Sequence, residues 1–263
     1  MATPDDTTTH YADLTENGLR EMCNAYARAI RHREIDLGRW HYAIGVAHGV
    51  RTAIHCGVNR FSIVEFGVWQ GNGLLELCKI AEYWMRRTGV EIRVYGVDSA
   101  VGLPPLVGYM DHPELWHTGA FKLPDPAILR AKLPPFAKLL IDDVADAMPE
   151  LEREFTDAPL AFSSFDVDLY SSTQRALQVL NMPANCYLPV VPATFDDSDS
   201  CLSHSAWCGE AAAVREFNEV SILRKIDPKP TFDLRKFYAC QIFDHPIRQG
   251  AARSRWPLTL GVM

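Results

Sequence analysis

No apolar run in this chain approaches the roughly 18 residues that a membrane span needs. Nor is there a surplus of basic residues: 26 Lys and Arg stand against 33 Asp and Glu, a net charge of −7. The first absence argues against a membrane protein. The second argues against a nucleic-acid binder, which should carry a basic face. The seven cysteines (Cys23, Cys56, Cys78, Cys186, Cys201, Cys208 and Cys240) are odd in number, scattered, and contain no Cys-x-x-Cys. Neither a disulfide framework nor a zinc ribbon is expected, and reduced thiols in a cytoplasmic protein are the plain reading. The nine histidines form no His-Glu-x-x-His, and no Gly-x-x-x-x-Gly-Lys-Ser/Thr is present, which removes the P-loop NTPases. The opening MATPDDTTTH is polar and acidic, so no signal peptide is expected there. What is present is 263 residues of ordinary globular composition, 48% hydrophobic and 22% charged. That suffices for one large domain or two small ones with a real core.

Periodicity organises the chain. Leu19, Met22, Cys23, Tyr26 and Ile30 share a helical face, and a second helix is expected over 40–56 with Gly57 as its stop. After a loose arm of about a dozen residues, these helices read as an N-terminal cap, residues 1–58, on an α/β unit over 59–263. The run 62–68 reads as a first strand, a glycine-rich turn follows, and Leu74 to Met85 gives a helix closed by Gly89. A second strand, 92–97, ends in Asp98. The segment 100–137 reads as a long lid-like loop with one short helix at 125–132. Strands at 137–141, 160–165 and near 187–195 alternate with helices at 146–155, from Ser171-Ser172-Thr173 to Leu180, and around 210–220. Strands near 222–226 and 237–243 finish the chain, and Arg248, Arg253 and Arg255 read as a solvated basic tail. Alternating β and α elements predict a mostly parallel central sheet with helices on both faces.

Three constellations carry chemistry. Gly67-x-x-x-Gly71-x-Gly73 follows the first strand, where glycines let backbone approach a ligand and a helix N-terminus offers free N–H groups. The spacing is that of short-chain dehydrogenases, but none of the nine tyrosines has Lys four residues on, so that class is set aside. Asp98, at the end of the second strand, can accept hydrogen bonds from both hydroxyls of a ribose. Asp166, Asp168, Asp196 and Asp197 fall at strand ends on the edge where open α/β sheets bind ligands. Such oxygen donors suit Mg²⁺ better than zinc. Each constellation also has a bland reading: a tight turn without ligand, a strand-end acid, solvated loop carboxylates. Trp69 and Trp116 can line a pocket, while His204 reads as a surface loop residue.

Glu65-Phe-Gly67-Val-Trp-Gln-Gly71 and Val94-Tyr-Gly-Val-Asp98-Ser99 with Gly102-Leu-Pro104 resemble a class I S-adenosylmethionine-dependent methyltransferase, with its Rossmann-like fold. Asp166-Val-Asp168-Leu-Tyr170-Ser-Ser-Thr173, the Asp196-Asp197 pair and Gly209-Glu-Ala-Ala-Ala-Val-Arg-Glu-Phe217 resemble the macrocin O-methyltransferase family, in order, over roughly residues 60–245. The resemblance implies S-adenosylmethionine and Mg²⁺ as cofactors and a small-molecule hydroxyl acceptor of sugar or natural-product type. It implies that Glu65, Gly67, Gly71 and Gly73 hold the methionine and ribose part of the cofactor. Asp98 with Ser99 would take the ribose, and Asp143 the adenine. Asp166, Asp196 and Asp197 would be metal ligands and Asp168 the general base. The charge balance and the lack of long apolar runs leave no nucleic-acid or membrane partner expected, and a homo-oligomer stays open. The chain departs from the family at Leu188-Pro189-Val190-Val191-Pro192, where a Gly-Gly turn is usual, and at Ser198, which replaces Tyr after the acid pair. The acceptor is therefore not carried over. Two rivals stand beside this reading: a cofactor-binding relative without transferase activity, in a regulatory or scaffold role, and a related fold that takes another nucleoside.

Overall fold

The computed structural model describes residues 9–35, 37–198, 204–229 and 236–250. The start of the expected N-terminal arm, Cys201, and Arg253 and Arg255 lie outside them. Local chemistry sets the helix ends. Helix α1 (Glu16–Arg31) begins where the Thr15 hydroxyl accepts the Gly18 N–H at 3.1 Å. Helix α2 spans Trp40–His55 and helix α3 spans Asn72–Thr88, which stops at Gly89 in the left-handed conformation. The short helix of the long loop, α4 (Pro126–Lys132), carries proline in its first turn, and Asp125 caps the Ala127 and Ile128 amides. Helices α5 (Met148–Asp157), α6 (Tyr170–Ala176) and α7 (Gly209–Val220) complete the set.

Seven strands form one sheet: β1 (Arg60–Phe66), β2 (Glu91–Asp98), β3 (Ala137–Ile141), β4 (Leu160–Phe165), β5 (Val190–Phe195), β6 (Arg224–Pro228) and β7 (Phe237–Ile242). Their order is β3-β2-β1-β4-β5-β7-β6, parallel from β3 to β5, with β7 antiparallel to both its neighbours. Strand alternation divides the core. Phe61, Ile63, Ile92 and Val94 pack with α1, α2 and α3, whereas Val64, Phe66, Tyr95 and Val97 pack with α5, α6 and α7. This is the Rossmann-like class I methyltransferase fold that the sequence predicts.

Three local expectations change. The Ser171-Ser172-Thr173 run does not cap its helix: those residues lie inside α6, whose N-cap position is Leu169. The fifth strand begins at Val190, where it pairs with Gln241 of β7, rather than at Tyr187, which makes only an isolated bridge to Leu160 before the β4 ladder resumes at Ala193. Proline has no N–H to give a ladder, and Pro192 falls in the gap between that bridge and the β4 ladder. Arg248 is not a solvated tail residue, since its guanidinium donates to the Gln241 Oε1 at 2.7 Å and the Pro189 carbonyl at 3.2 Å. Among the described residues no helix is long and apolar enough to cross a membrane.

Helix α2 lies so close to β4 that a Cβ on Gly49 would stand 2.5 Å from the Ala161 carbonyl oxygen. Helix propensity alone favours alanine over glycine by up to about 1 kcal/mol. Here the neighbour is backbone and cannot swing aside. Gly49→Ala is expected to lower the unfolding free energy by about 1–3 kcal/mol in denaturant titration; a gain in stability would show that α2 can lift off the sheet at little cost.

Candidate active site

The sheet order reverses between β1 and β4, the crevice where ligands enter such folds. There the two strand ends touch. The Asp166 N–H donates to the Phe66 carbonyl at 2.9 Å, and a Cβ on Gly67 (φ +81°) would fall 1.8 Å from the Asp166 carbonyl oxygen. No side chain fits at that junction. Asp98, at the end of β2, ties the turn down: its Oδ2 accepts the Val68 and Trp69 amides at 2.8 and 3.0 Å, and its Oδ1 the Ala100 amide at 2.7 Å. This clamp holds Trp69 at φ +45°, in the left-handed region that a bulky residue rarely adopts. Asp98 therefore shapes the turn as well as facing the pocket.

Beneath the turn lies a buried polar network. A Cβ on Gly73 would meet the Glu65 Oε1 at 1.8 Å, so glycine is what lets α3 start over that carboxyl. Glu65 is 1% exposed. Tyr42 Oη donates to its Oε1 at 2.8 Å, and its Oε2 has no hydrogen-bond partner. Burial, reinforced by the nearby Asp166 charge, pushes the Glu65 carboxyl up to about 8. Tyr42 Oη in turn accepts from Ser164 Oγ at 2.8 Å and from Arg39 Nη1 at 3.1 Å, and Thr194 Oγ1 donates to Ser164 at 2.9 Å.

The four strand-end acids gather on the other side of the crevice. Arg39 Nη1 lies 2.8 Å from the Asp166 Oδ2. Burial and the Asp196 charge still raise the Asp166 carboxyl above its usual range. Lys236 Nζ lies 2.7 Å from the Asp196 Oδ1, and His41 Nε2 lies 3.7 Å from it. Burial alone would raise Asp196, but the lysine and Arg39 hold it below the ordinary value. Burial also lowers His41 to about 4, helped by the Lys236 charge, so its ring is neutral at pH 7. Asp168 does not sit on a strand, as the two-residue spacing from Asp166 suggested. It is at φ +60°, between the Val167 carbonyl and a Leu169 N–H that donates to it at 2.6 Å, a tight and strained turn. Burial and the charges of Asp197 and Asp166 push the Asp168 carboxyl far above the usual range. Fully buried Glu210 accepts the Asp197 N–H at 2.8 Å. Ser198 folds the turn back, its Oγ donating to the Phe195 carbonyl at 3.0 Å.

One pocket of about 510 Å³ joins both sides. Gly67, Gly73, Asp98, Ser99, Asp143, Asp166, Asp168, Asp196 and Asp197 all line it, while Glu65 and Gly71 stand behind its wall. Ser99 Oγ accepts the Val101 N–H at 3.3 Å, and Asp143 is paired with Arg175 and accepts the Ala145 N–H at 2.9 Å. Trp69 and Trp116 both reach the pocket. The loop after β2 is fastened by Asp111, 0% exposed, which accepts the Val107 amide at 2.6 Å and both the Ser171 amide and hydroxyl at 2.8 Å. His204 is not a plain surface residue: its ring is partly buried, 5.2 Å from that of His112. Arg39, Tyr42, Asp111 and Lys236 went unnoticed in the sequence because each reaches the site from an element outside the motifs. Glu210 lies within a quoted motif without a role attached to it. Among the described residues no three His, Cys, Asp or Glu side chains are arranged to hold a metal ion as they stand. The donor set nevertheless fits a hard divalent cation: four carboxylates line the same pocket and act on one another, and Arg39 and Lys236 each pair with one of them.

No family model matches the chain, and no curated protein matches it by sequence. Solved structures do match in fold. CalS11, a calicheamicin methyltransferase, aligns with 92% of this chain and 100% of its own at a TM-score of 0.54 and 18% identity. The O-methyltransferase NovP aligns over 76% of this chain and 77% of its own, with a TM-score of 0.52 and 21% identity. The chain thus shares the class I methyltransferase architecture.

Removing the Asp111 carboxylate strands the partly buried Ser171 amide and hydroxyl and unties the loop, at up to about 1–3 kcal/mol for each donor left unsatisfied. Asp111→Ala is expected to be cut within 100–121 much faster than the parent protein under limited proteolysis. Equal cleavage rates would mean that the loop is held by other contacts.

Proposed function

We propose that this protein is an S-adenosylmethionine-dependent, Mg²⁺-assisted O-methyltransferase acting on a hydroxyl of a small molecule of sugar or natural-product type. The charge of the pocket carries the reading. Six carboxylates and two guanidinium groups line it, and each guanidinium is already paired, Arg39 with Asp166 and Arg175 with Asp143. A phosphate-bearing nucleotide would meet this wall with like charge. S-adenosylmethionine carries net positive charge on its sulfonium and amino groups, and the wall attracts it. That same observation favours a methyl donor over another nucleoside ligand.

The chain's residues then divide the work. Asp98 accepts from the ribose while holding the glycine turn. Glu65, buried beneath Gly73 with one oxygen unpartnered, would turn that oxygen toward the amino group of the methionine end, whose positive charge favours the ionised form of the carboxyl. Ser99 and Asp143 flank the nucleoside. Asp166, Asp196 and Asp197 would hold Mg²⁺, which when bound supplies positive charge that makes an acceptor hydroxyl more acidic. Asp168 takes the acceptor's proton. Its raised proton affinity makes it a better base than an ordinary aspartate, provided that positive charge in the loaded pocket keeps it ionised. Arg39 at the start of α2 and the loop after β2, which line the pocket, exclude water and select the acceptor.

S-adenosylhomocysteine at 100 times its dissociation constant should stabilise the fold by about 2.7 kcal/mol. Glu65→Gln separates the roles of this carboxyl. Its folded value of about 8 lies above an unfolded carboxyl's, so the ligand-free protein loses stability as pH rises from about 4.5 to 8. The glutamine variant is expected to melt higher than the parent at pH 8 and to bind S-adenosylhomocysteine more weakly. No thermal shift in folded parent protein with either S-adenosylmethionine or its demethylated product counts decisively against the reading.

Asp168→Asn is expected to bind S-adenosylhomocysteine normally and to lose about 10²–10⁴-fold in kcat, read as labelled methyl transferred to a panel of hydroxylated compounds. Chelation should depress the parent's transfer and Mg²⁺ or Mn²⁺ restore it. Full activity in excess chelator removes the metal from the proposal, and near-parental kcat in Asp168→Asn removes the base.

A further inference from the structure

The pocket has a second chemical character that the acids do not explain. Trp69, Trp116 and Phe121 line its mouth, and Phe121 stands edge-on to both indoles, with ring centroids 5.3 Å from Trp69 and 5.6 Å from Trp116. Trp69 remains 42% exposed. Two of the three rings are carried on left-handed backbone, Trp69 at φ +45° and Phe121 at φ +57°. Such conformations cost of order 1–3 kcal/mol and persist where surrounding structure imposes them, often at ligand clamps. The Trp116 indole N–H is buried and has no hydrogen-bond partner. Buried indoles usually find one. Val101 and Val107, 67% and 68% exposed on the same loop, add apolar surface to the pocket lining.

We infer that the acceptor is an uncharged molecule with a flat aromatic or conjugated ring beside its reactive hydroxyl, the ring lying on the Trp69–Phe121–Trp116 shelf and an oxygen accepting from the Trp116 indole. A sugar acceptor would then be one already attached to such a ring, and not a nucleotide sugar. The two halves of the pocket set this choice together. The shelf offers ring faces and one donor, while the acidic floor has Arg39, Arg175 and Lys236 each engaged by an aspartate and gives a diphosphate no cation to replace its water. The inference rests on the methyltransferase reading for the word acceptor, but the ring preference is a property of the pocket itself.

Calorimetric titration of the full chain, with and without S-adenosylhomocysteine, tests it using three probes: 4-nitrophenyl β-D-glucoside, methyl β-D-glucoside and UDP-glucose. The aryl glucoside is expected to bind at least tenfold tighter than the methyl glucoside, and UDP-glucose most weakly. Trp116→Ala and Phe121→Ala should erase the aryl preference while leaving S-adenosylhomocysteine affinity within about twofold. Where an alanine variant does not fold, Phe121→Leu removes the ring and keeps an apolar side chain, and the same loss of preference is expected. Tightest binding by UDP-glucose, equal binding of the two simple glucosides, or a preference that survives loss of the rings overturns the inference. Failure of S-adenosylhomocysteine to bind, with the aryl preference intact, instead removes the methyltransferase reading and leaves the shelf standing.

Discussion

The contact on which the rest of the site depends is the one between Gly67 and the Asp166 carbonyl. It joins the ends of β1 and β4, where the sheet order reverses, with no space for a side chain between them. Because the strands meet there, the glycine turn on one side and the carboxylates on the other open into a single crevice. A Cβ at that position would have to part the strands or bend one of them. The turn would then leave Asp98, whose two oxygens hold it through three amides.

The second organising element is the polar network buried beside that junction. Arg39 and Tyr42 bring the start of α2 to Asp166 and Glu65, and Ser164 and Thr194 extend the chain of donors across β4 and β5. Low local dielectric makes these bonds strong and makes an unpartnered oxygen in their midst costly. Glu65 carries that cost with one oxygen unmatched. Helix α2 is therefore more than a lid: it packs into the same hydrophobic core as β1 and supplies the cation that faces Asp166. An N-terminal segment that reads as a cap by sequence order is in this respect part of the site.

The sheet was legible because its strands are short, β-branched and punctuated by turn residues, and because the helices between them keep a 3.6-residue period. The residues at the strand ends were legible as a set, since chain order alone brings Asp98, Asp166 and Asp196 to one edge of a parallel sheet. What the sequence could not reveal arises from contacts distant in the chain. Asp111 lies sixty residues before the amide it caps, and it takes the capping role that Ser171 to Thr173 were expected to fill for themselves. Lys236 reaches Asp196 from forty residues on. Asp168 misled because a spacing of two suggests a strand face, whereas a left-handed residue turns the chain back at that point.

The position of β7 between β5 and β6 bears on how the protein is made. A chain that emerges from its N-terminus completes β1 to β4, with α1 to α5 around them, before β7 exists. Until Phe237–Ile242 is synthesised, β5 presents an open edge on the side that β7 will fill, and such edges invite pairing with other chains. Lys236 arrives with that same strand, so Asp196 gains its lysine partner in the step that closes the sheet. Completion of the sheet and the pairing of Asp196 with Lys236 are thus one late event in biosynthesis, and a ribosome stalled shortly before residue 236 would leave a nascent chain with an open edge on β5 and with Asp196 lacking that partner.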